Sequence, residues 1–141
     1  RQMCIRDRTS TVKYIGDHRT EGIHISSSKK LVTAAPLDNQ GKGEAFSPTD
    51  TVATGLASCI LTILGIKARS VKINLNETFA EVKKIMGTKP RRIIEIKVDI
   101  YFQVIVEPKL KLIFERAALS CPVANSLHPD INQNIRFHWP D

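Results

Sequence analysis

The sequence is poor in cysteine, with three in 141 residues, and it contains no Cys-x-x-Cys pair. Only one of its four histidines, His128, is near a cysteine in the sequence. A structural zinc site needs a closely spaced set of cysteine and histidine ligands, so the sequence predicts no metal site. The cysteines that are present need another explanation.

Long apolar runs and a secretory leader are also missing from the sequence. No stretch approaches the roughly 20 apolar residues that span a bilayer, and the start shows no charged-then-apolar signal peptide. These absences predict no membrane association and a cytoplasmic location. A structural disulfide is disfavoured in that reducing compartment.

Aromatic residues make up only 6% of the chain, although its net charge is +7. Nucleic-acid binding needs a basic stripe with interleaved aromatic residues or a reading helix, and neither is visible. The basic residues are densest at 83–84 and 89–92, and we interpret them as solvated surface. Nucleic-acid binding through residues 89–92 remains a weaker alternative.

The length and composition indicate one globular domain, with 42% hydrophobic and 25% charged residues. Residues 1–8 show no periodicity, and we predict that residues 1–10 form a tail outside a single domain of residues 11–141. Cys4 lies in that tail and is set aside.

The first third of the chain has the pattern of an antiparallel meander. Residues 11–15, 22–26 and 30–34 read as short strands separated by turns at 16–17 and 26–28. Residues 36–45 read as a loop. Its Gly41-Lys42-Gly43-Glu44 segment lacks the spacing of a phosphate-binding loop.

A long helix is predicted from residue 48 to about residue 69. Ser47 is a good N-cap, Pro48 suits the first helical position, and Asp50 lies near the positive end of the helix dipole. The periodicity predicts that the helix is mostly buried, with an apolar stripe formed by Val52, Leu56, Cys59, Ile60, Ile63 and Ile66.

The second half alternates strands and helices. Strands are predicted at 78–86, 92–106 and 131–139, and helices at 107–119 and from 122 to about 127. Alternating apolar residues from Ile94 to Val104 predict an antiparallel sheet with one covered face. The inward face of the last strand is predicted to carry Ile135, Phe137 and Trp139. The fold class is therefore α+β.

Two cysteines lie in settings that could support chemistry. Cys59 lies on the apolar stripe of the long helix, where its simplest interpretation is a small core residue. Cys121 lies at a helix break and is predicted to cap the next turn, where the helix dipole would favour a thiolate. Cys59 lies on the first long helix, and Cys121 follows the second. If these two helices pack on the same sheet, the two thiols meet and form a dithiol that could do redox chemistry.

Peroxide reduction suits such a pair. It needs a thiolate, a cation to stabilise it and a second thiol to resolve the sulfenic acid. A cysteine with an ordinary pKa of about 8.5 is only about 3% thiolate at pH 7. Arg19 is the candidate cation, although locally it also reads as a turn residue.

At these residues the chain resembles the OsmC/Ohr family of thiol peroxidases. The resemblance spans about residues 11–139 and is most specific in the segment 41–50, in Ala57-Ser58-Cys59, and in Cys121-Pro122-Val123 with the downstream segment 126–130. Either cysteine motif alone is a weak signal, but both motifs in this order and spacing are specific.

The resemblance implies an intertwined homodimer with antiparallel sheets wrapped around two long central helices. It implies that Cys59 is the peroxidatic cysteine, that Cys121 is the resolving cysteine, and that Arg19 holds the thiolate. It further implies organic hydroperoxides as substrates, a dithiol reductant such as a lipoyl protein, and no metal or organic cofactor.

The sequence departs from the family pattern at one position. Well-studied members carry a glutamate directly after the proline that opens the long helix, where it pairs with the catalytic arginine, and this chain has Thr49 there. Asp50 and Glu44 are the nearest carboxylates that could orient Arg19. The alternative function is a non-catalytic module that binds an apolar small molecule, with the cysteines lining its pocket.

Overall fold

The computed structural model describes residues 7–141, so Cys4 and most of the predicted tail lie outside the described residues. The chain divides into two compact units, of which the first ends at Thr51 and the second runs from Val52 to Asp141. The first strand begins at Ser10, one residue before the predicted start of the domain.

The first unit contains a three-stranded antiparallel sheet in the order β1-β2-β3. The strands are β1 (Ser10–Gly16), β2 (Arg19–His24) and β3 (Lys30–Ala34). Asp17 and His18 form the turn between β1 and β2 with φ values of 54° and 59°, as a two-residue type I′ hairpin requires. The predicted turn at 16–17 was one residue early, and Arg19 is the first residue of β2.

The loop after β3 contains a short 3-10 helix, Leu37–Asn39, and leads into α1 (Pro48–Ser70). The start of α1 has the predicted cap. Ser47 Oγ accepts a hydrogen bond from Asp50 N at 3.1 Å, and Asp50 Oδ2 accepts one from Ser47 N at 2.9 Å. This reciprocal pair is a capping box with aspartate in the place of glutamate.

The buried face of α1 differs from the predicted stripe. Val52 is 39% exposed and Ile66 is 64% exposed. Two of the predicted inward residues, Val52 and Ile66, therefore turn outward, and small alanines take part in the buried face instead. The helix is therefore buried along one face only, by Ala53, Leu56, Ala57, Ile60, Leu64 and Ala68.

The apolar composition of α1 has a second consequence. Over an 18-residue window its mean hydropathy is 1.6, so by length and composition alone this helix could cross a membrane. The sequence-based statement that no stretch approaches spanning length does not hold by this criterion. A helix that contributes to the core of a globular unit meets the same criterion.

The second unit contains a sheet in the order β4-β5-β6, formed by Phe79–Gly87, Arg92–Tyr101 and Asn132–His138. β4 and β5 are antiparallel, but β5 and β6 are parallel. The prediction of an antiparallel sheet is wrong for this pair. The chain returns from β5 through α2 (Pro108–Leu119) and α3 (Pro122–Ser126), and such a helical crossover produces parallel neighbours.

Strand β5 supplies the centre of the core. Ile96, Val98 and Ile100 point inward as predicted and are fully buried. Ile94 was predicted inward but is 43% exposed, whereas Ile93 is 8% exposed. In the pairing with β4, Ile85 faces Glu95 but Met86 faces Ile93, so Ile94 is an unpaired extra residue of β5, and a bulge of this kind reverses the side-chain alternation.

The remaining core residues come from the helices and from the last strand. Phe114 of α2 is fully buried, and the rings of Phe102 and Trp139 stack with centroids 3.6 Å apart. Ile135, Phe137 and Trp139 pack against the core, as the alternation of the last strand predicts. The α+β fold class is confirmed.

Candidate thiol site

The two candidate cysteines come from different elements of the second unit. Cys59 lies near the middle of α1, is partly exposed and packs against the hydrophobic core. Cys121 follows the end of α2 and is itself a fully buried member of that core. Both are free thiols. The fold places both cysteines at one core, and Cys59 is close enough to raise the pKa of Cys121.

Cys121 caps α3, as predicted. Its Sγ accepts a hydrogen bond from Ala124 N at 3.3 Å, and Pro122 occupies the first helical position. Gln133 of β6 anchors the same short helix, because its Nε2 donates to Ala124 O at 3.0 Å. The sequence analysis missed Gln133, since nothing local links a strand residue to a helix that precedes it.

The environment of Cys121 favours the neutral thiol. Burial raises the pKa of Cys121, the Ala124 N–H lowers it, and a side-chain hydrogen bond and the charge of Cys59 raise it further. The expectation that the helix end would favour a thiolate here is wrong in its net effect, because desolvation outweighs the single backbone donor. Cys121 is thus a protonated thiol beside Cys59.

Arg19 belongs to the first unit, where it opens β2 and is half-buried. Its Nε is buried and has no hydrogen-bond partner within residues 7–141. The N–H of this guanidinium is an unused hydrogen-bond donor, and an anion could accept a hydrogen bond from it. The action of Arg19 on Cys59 stays a prediction.

The carboxylates proposed to orient Arg19 have different surroundings. Asp50 uses one carboxylate oxygen in the capping box with Ser47, and Glu44 is exposed in the preceding loop. Thr49 occupies the position of the family glutamate, and its Oγ1 lies 3.2 Å from Ser47 Oγ, within hydrogen-bond distance. Thr49 therefore supports the start of α1 but supplies no negative charge.

A metal site has no support in the part of the chain that the structure describes. Residues 7–141 contain no group of three or more histidine, cysteine, aspartate or glutamate side chains that could hold an ion. The donors available at Cys59 and Cys121 are the two sulfur atoms themselves.

Comparison with known proteins agrees with this fold. The family model described as OsmC-like protein matches residues 41–136. The crystal structure of a Psychrobacter arcticus protein, provisionally named an osmotic stress induced and detoxification response protein, is 53% identical. The alignment covers 93% of this chain and 96% of that chain, with a TM-score of 0.90. A comparison with curated proteins found no match.

More distant structures share the fold. An organic hydroperoxide resistance protein from Legionella pneumophila is 18% identical over 94% of this chain and 98% of its own, with a TM-score of 0.69. One from Elizabethkingia anophelis, with thiocyanate bound, is 17% identical over 94% and 97%, with a TM-score of 0.73.

The fold and the paired thiols define the class of the protein. Two three-stranded sheets accompany a long apolar helix that carries Cys59, and a second cysteine caps the helix before the last strand. The chain belongs to the OsmC-like protein family.

Proposed function

We propose that the protein is a cysteine-based thiol peroxidase that reduces organic hydroperoxides. The observation that carries the proposal is the interaction of Cys59 with the protonated, buried thiol of Cys121. Such a pair has the two sulfur atoms that peroxide reduction and disulfide formation require. Family membership and the names of the distant hydroperoxide resistance proteins support the same chemistry.

The proposed reaction has two steps at the protein. The Cys59 thiolate attacks the terminal oxygen of the hydroperoxide, the O–O bond breaks, and the alcohol leaves after taking up a proton. Cys59 is now a sulfenic acid. The Cys121 sulfur attacks the Cys59 sulfur, the hydroxyl leaves as water with the Cys121 proton, and a disulfide forms.

An external dithiol then completes the cycle. It reduces the Cys59–Cys121 disulfide by thiol–disulfide exchange and is itself oxidised to a disulfide. A lipoyl protein is our candidate reductant. We further propose that the enzyme is cytoplasmic and, as the family resemblance implies, a homodimer, and neither a metal nor an organic cofactor enters this scheme.

Arg19 is assigned to the stabilisation of the Cys59 thiolate. Its buried Nε has a donor available, and a guanidinium stays charged at every physiological pH. Arg19→Met should therefore lower kcat/KM with cumene hydroperoxide by about 100-fold, and Arg19→Lys should restore part of the loss. The same kcat/KM measurement on Glu44→Gln and Asp50→Asn identifies which carboxylate orients the arginine, because removal of that carboxylate should lower kcat/KM.

Turnover of cumene hydroperoxide with dihydrolipoamide tests the activity itself. Cys59→Ser should abolish turnover, Cys121→Ser should reduce it strongly with dihydrolipoamide as reductant, and Cys4→Ser is the matched control that retains it. Turnover that survives Cys59→Ser would refute the proposal.

A non-catalytic binding module remains the second candidate, and the full burial of Cys121 favours it. In that case both thiols would alkylate slowly near neutral pH, and the purified protein would carry an apolar ligand. Rapid alkylation of Cys59 by iodoacetamide at pH 7 argues against it.

A further inference from the structure

A separate cavity lies at the C-terminal end of α1, where the chain turns toward β4. Its volume is about 620 Å³, within the range of small-molecule sites. Leu61, Leu64 and Ala68 of α1 and Leu75 of the following loop form its apolar wall, and neither Cys59 nor Cys121 is among the lining residues. The thiol chemistry proposed above does not use this space.

The polar groups of this cavity carry positive charge. Arg69 and Lys72 line it, and neither forms an ion pair with a carboxylate within residues 7–141. No aspartate or glutamate is among the described lining residues. The cavity therefore combines an apolar wall with two cations whose charge is not neutralised locally.

An unpaired hydroxyl adds a second observation. Thr78 lines the cavity, and its Oγ1 is buried without a hydrogen-bond partner in the described chain. Buried polar side chains in native proteins are nearly always paired, so an orphaned hydroxyl beside a cavity points to a ligand as its partner. Its backbone N–H is already used, because it donates to Leu75 O at 3.0 Å.

We propose that this cavity binds an amphipathic anion, a molecule with a medium-length apolar chain and one anionic head group. The chain packs on Leu61, Leu64 and Leu75, and the head group lies between Arg69 and Lys72. Rotation of the Thr78 side chain brings its hydroxyl to the head group. A neutral apolar molecule leaves both cations unpaired, and a small anion leaves the apolar wall uncovered.

Calorimetric titration of the full chain with sodium decanoate, below its micelle concentration, tests the proposal. We expect saturable binding of decanoate, at least tenfold weaker binding of decanol, and no detectable binding of acetate. Arg69→Gln with Lys72→Gln should weaken decanoate binding about tenfold, the effect of losing a charge-assisted hydrogen bond. Lys67→Gln, in the last turn of α1 but outside the cavity, is the charge control.

A second variant blocks the space itself. Gly65 lines the cavity, and a Cβ there meets no atom within 4 Å, so Gly65→Leu places a large side chain in the cavity. Gly55→Leu is the matched control, because Gly55 is equally open and lies outside this cavity. Decanoate binding should be lost in Gly65→Leu and kept in Gly55→Leu.

Two results would overturn the proposal. Equal binding of decanoate and decanol would show that the cations play no part. Absence of decanoate binding, together with a change of sedimentation coefficient in Gly65→Leu but not in Gly55→Leu, would show that a second copy of the chain covers the cavity.

Discussion

Cys59, near the middle of α1, lies close enough to Cys121, the N-cap of α3, to raise the pKa of its thiol. A partly exposed thiol is thus the neighbour of a fully buried one, and burial is the largest cause of the raised pKa of Cys121. The two cysteines are therefore not equivalent. In the proposed reaction the accessible sulfur meets the peroxide, and the buried, protonated sulfur reacts second.

Removal of the second thiol should trap the first intermediate. In Cys121→Ser, Cys59 should react once with cumene hydroperoxide and remain a sulfenic acid, because no resolving thiol is left. Dimedone labelling followed by peptide mass spectrometry should place the adduct on Cys59. The matched control is Cys59→Ser, and an adduct on Cys121 in that variant would contradict the assignment of roles.

The pKa of Cys121 predicts a pH dependence of stability. The folded state holds the thiol proton more tightly than the unfolded state, whose thiol titrates near pH 8.5. The contribution of this thiol to stability is therefore complete below that pH and is lost as the pH rises through the folded pKa.

Urea unfolding under reducing conditions measures this effect. Cys121→Ala should lower the free energy of unfolding by about 1 kcal/mol at pH 7, and the difference from wild type should shrink as the pH rises above about 8.5 and through the raised pKa of folded Cys121. A difference that stays constant over this range would show that the folded protein does not perturb the thiol.

Asp99 supplies a second pH-dependent contribution, at the acidic end. A hydrogen bond from His138 lowers the pKa of Asp99 against the opposing effect of burial, and Arg136, 2.9 Å away, lowers it further. The stabilisation is present above the unfolded pKa of about 3.8 and is lost as the pH falls through the folded pKa.

Asp99→Asn should lower the free energy of unfolding by about 1 kcal/mol at pH 6, since the pair is only partly shielded from solvent. The difference from wild type should shrink as the pH falls below about 3.8 and through the lowered pKa of folded Asp99. Asp130→Asn is the control, because Asp130 is more exposed and its ion pair with Arg92 is 4.0 Å long. Equal effects of the two substitutions would contradict the prediction.

Two glycines should respond oppositely to the same substitution. A Cβ at Gly41 would lie 1.8 Å from Ala35 O, so Gly41→Ala forces the loop after β3 apart and should lower the melting temperature clearly. A Cβ at Gly55 meets no atom within 4 Å, so Gly55→Ala should raise stability by up to about 1 kcal/mol through helix propensity. Thermal unfolding that ranks the variants the other way would refute this interpretation.

Local signals in the sequence predicted local structure well. The Ser47 and Asp50 capping box and the Cys121 cap depend on residues within three positions of each other, and the structure confirms both. The alternation of buried and more exposed side chains in β5 was also predicted correctly between Ile96 and Ile100. Each of these features is decided by residues that are neighbours in the chain.

Features that depend on residues far apart in the sequence could not be predicted from the sequence alone. The parallel pairing of β5 with β6 follows from a crossover through two helices, and the exposure of Ile94 follows from a bulge in β5 that its pairing with β4 produces. The neutral state of Cys121 follows from burial by residues far away in sequence. The motif pair predicted which thiols would meet, but burial in the fold decides which of them stays protonated.

The most direct test of the account is the fate of the two thiols after one equivalent of cumene hydroperoxide. Non-reducing peptide mapping of the wild-type protein should find one intramolecular Cys59–Cys121 disulfide with release of cumyl alcohol, and no such crosslink in Cys59→Ser. Peroxide consumption that leaves both thiols reduced, or that joins Cys59 to another chain instead, would contradict the account.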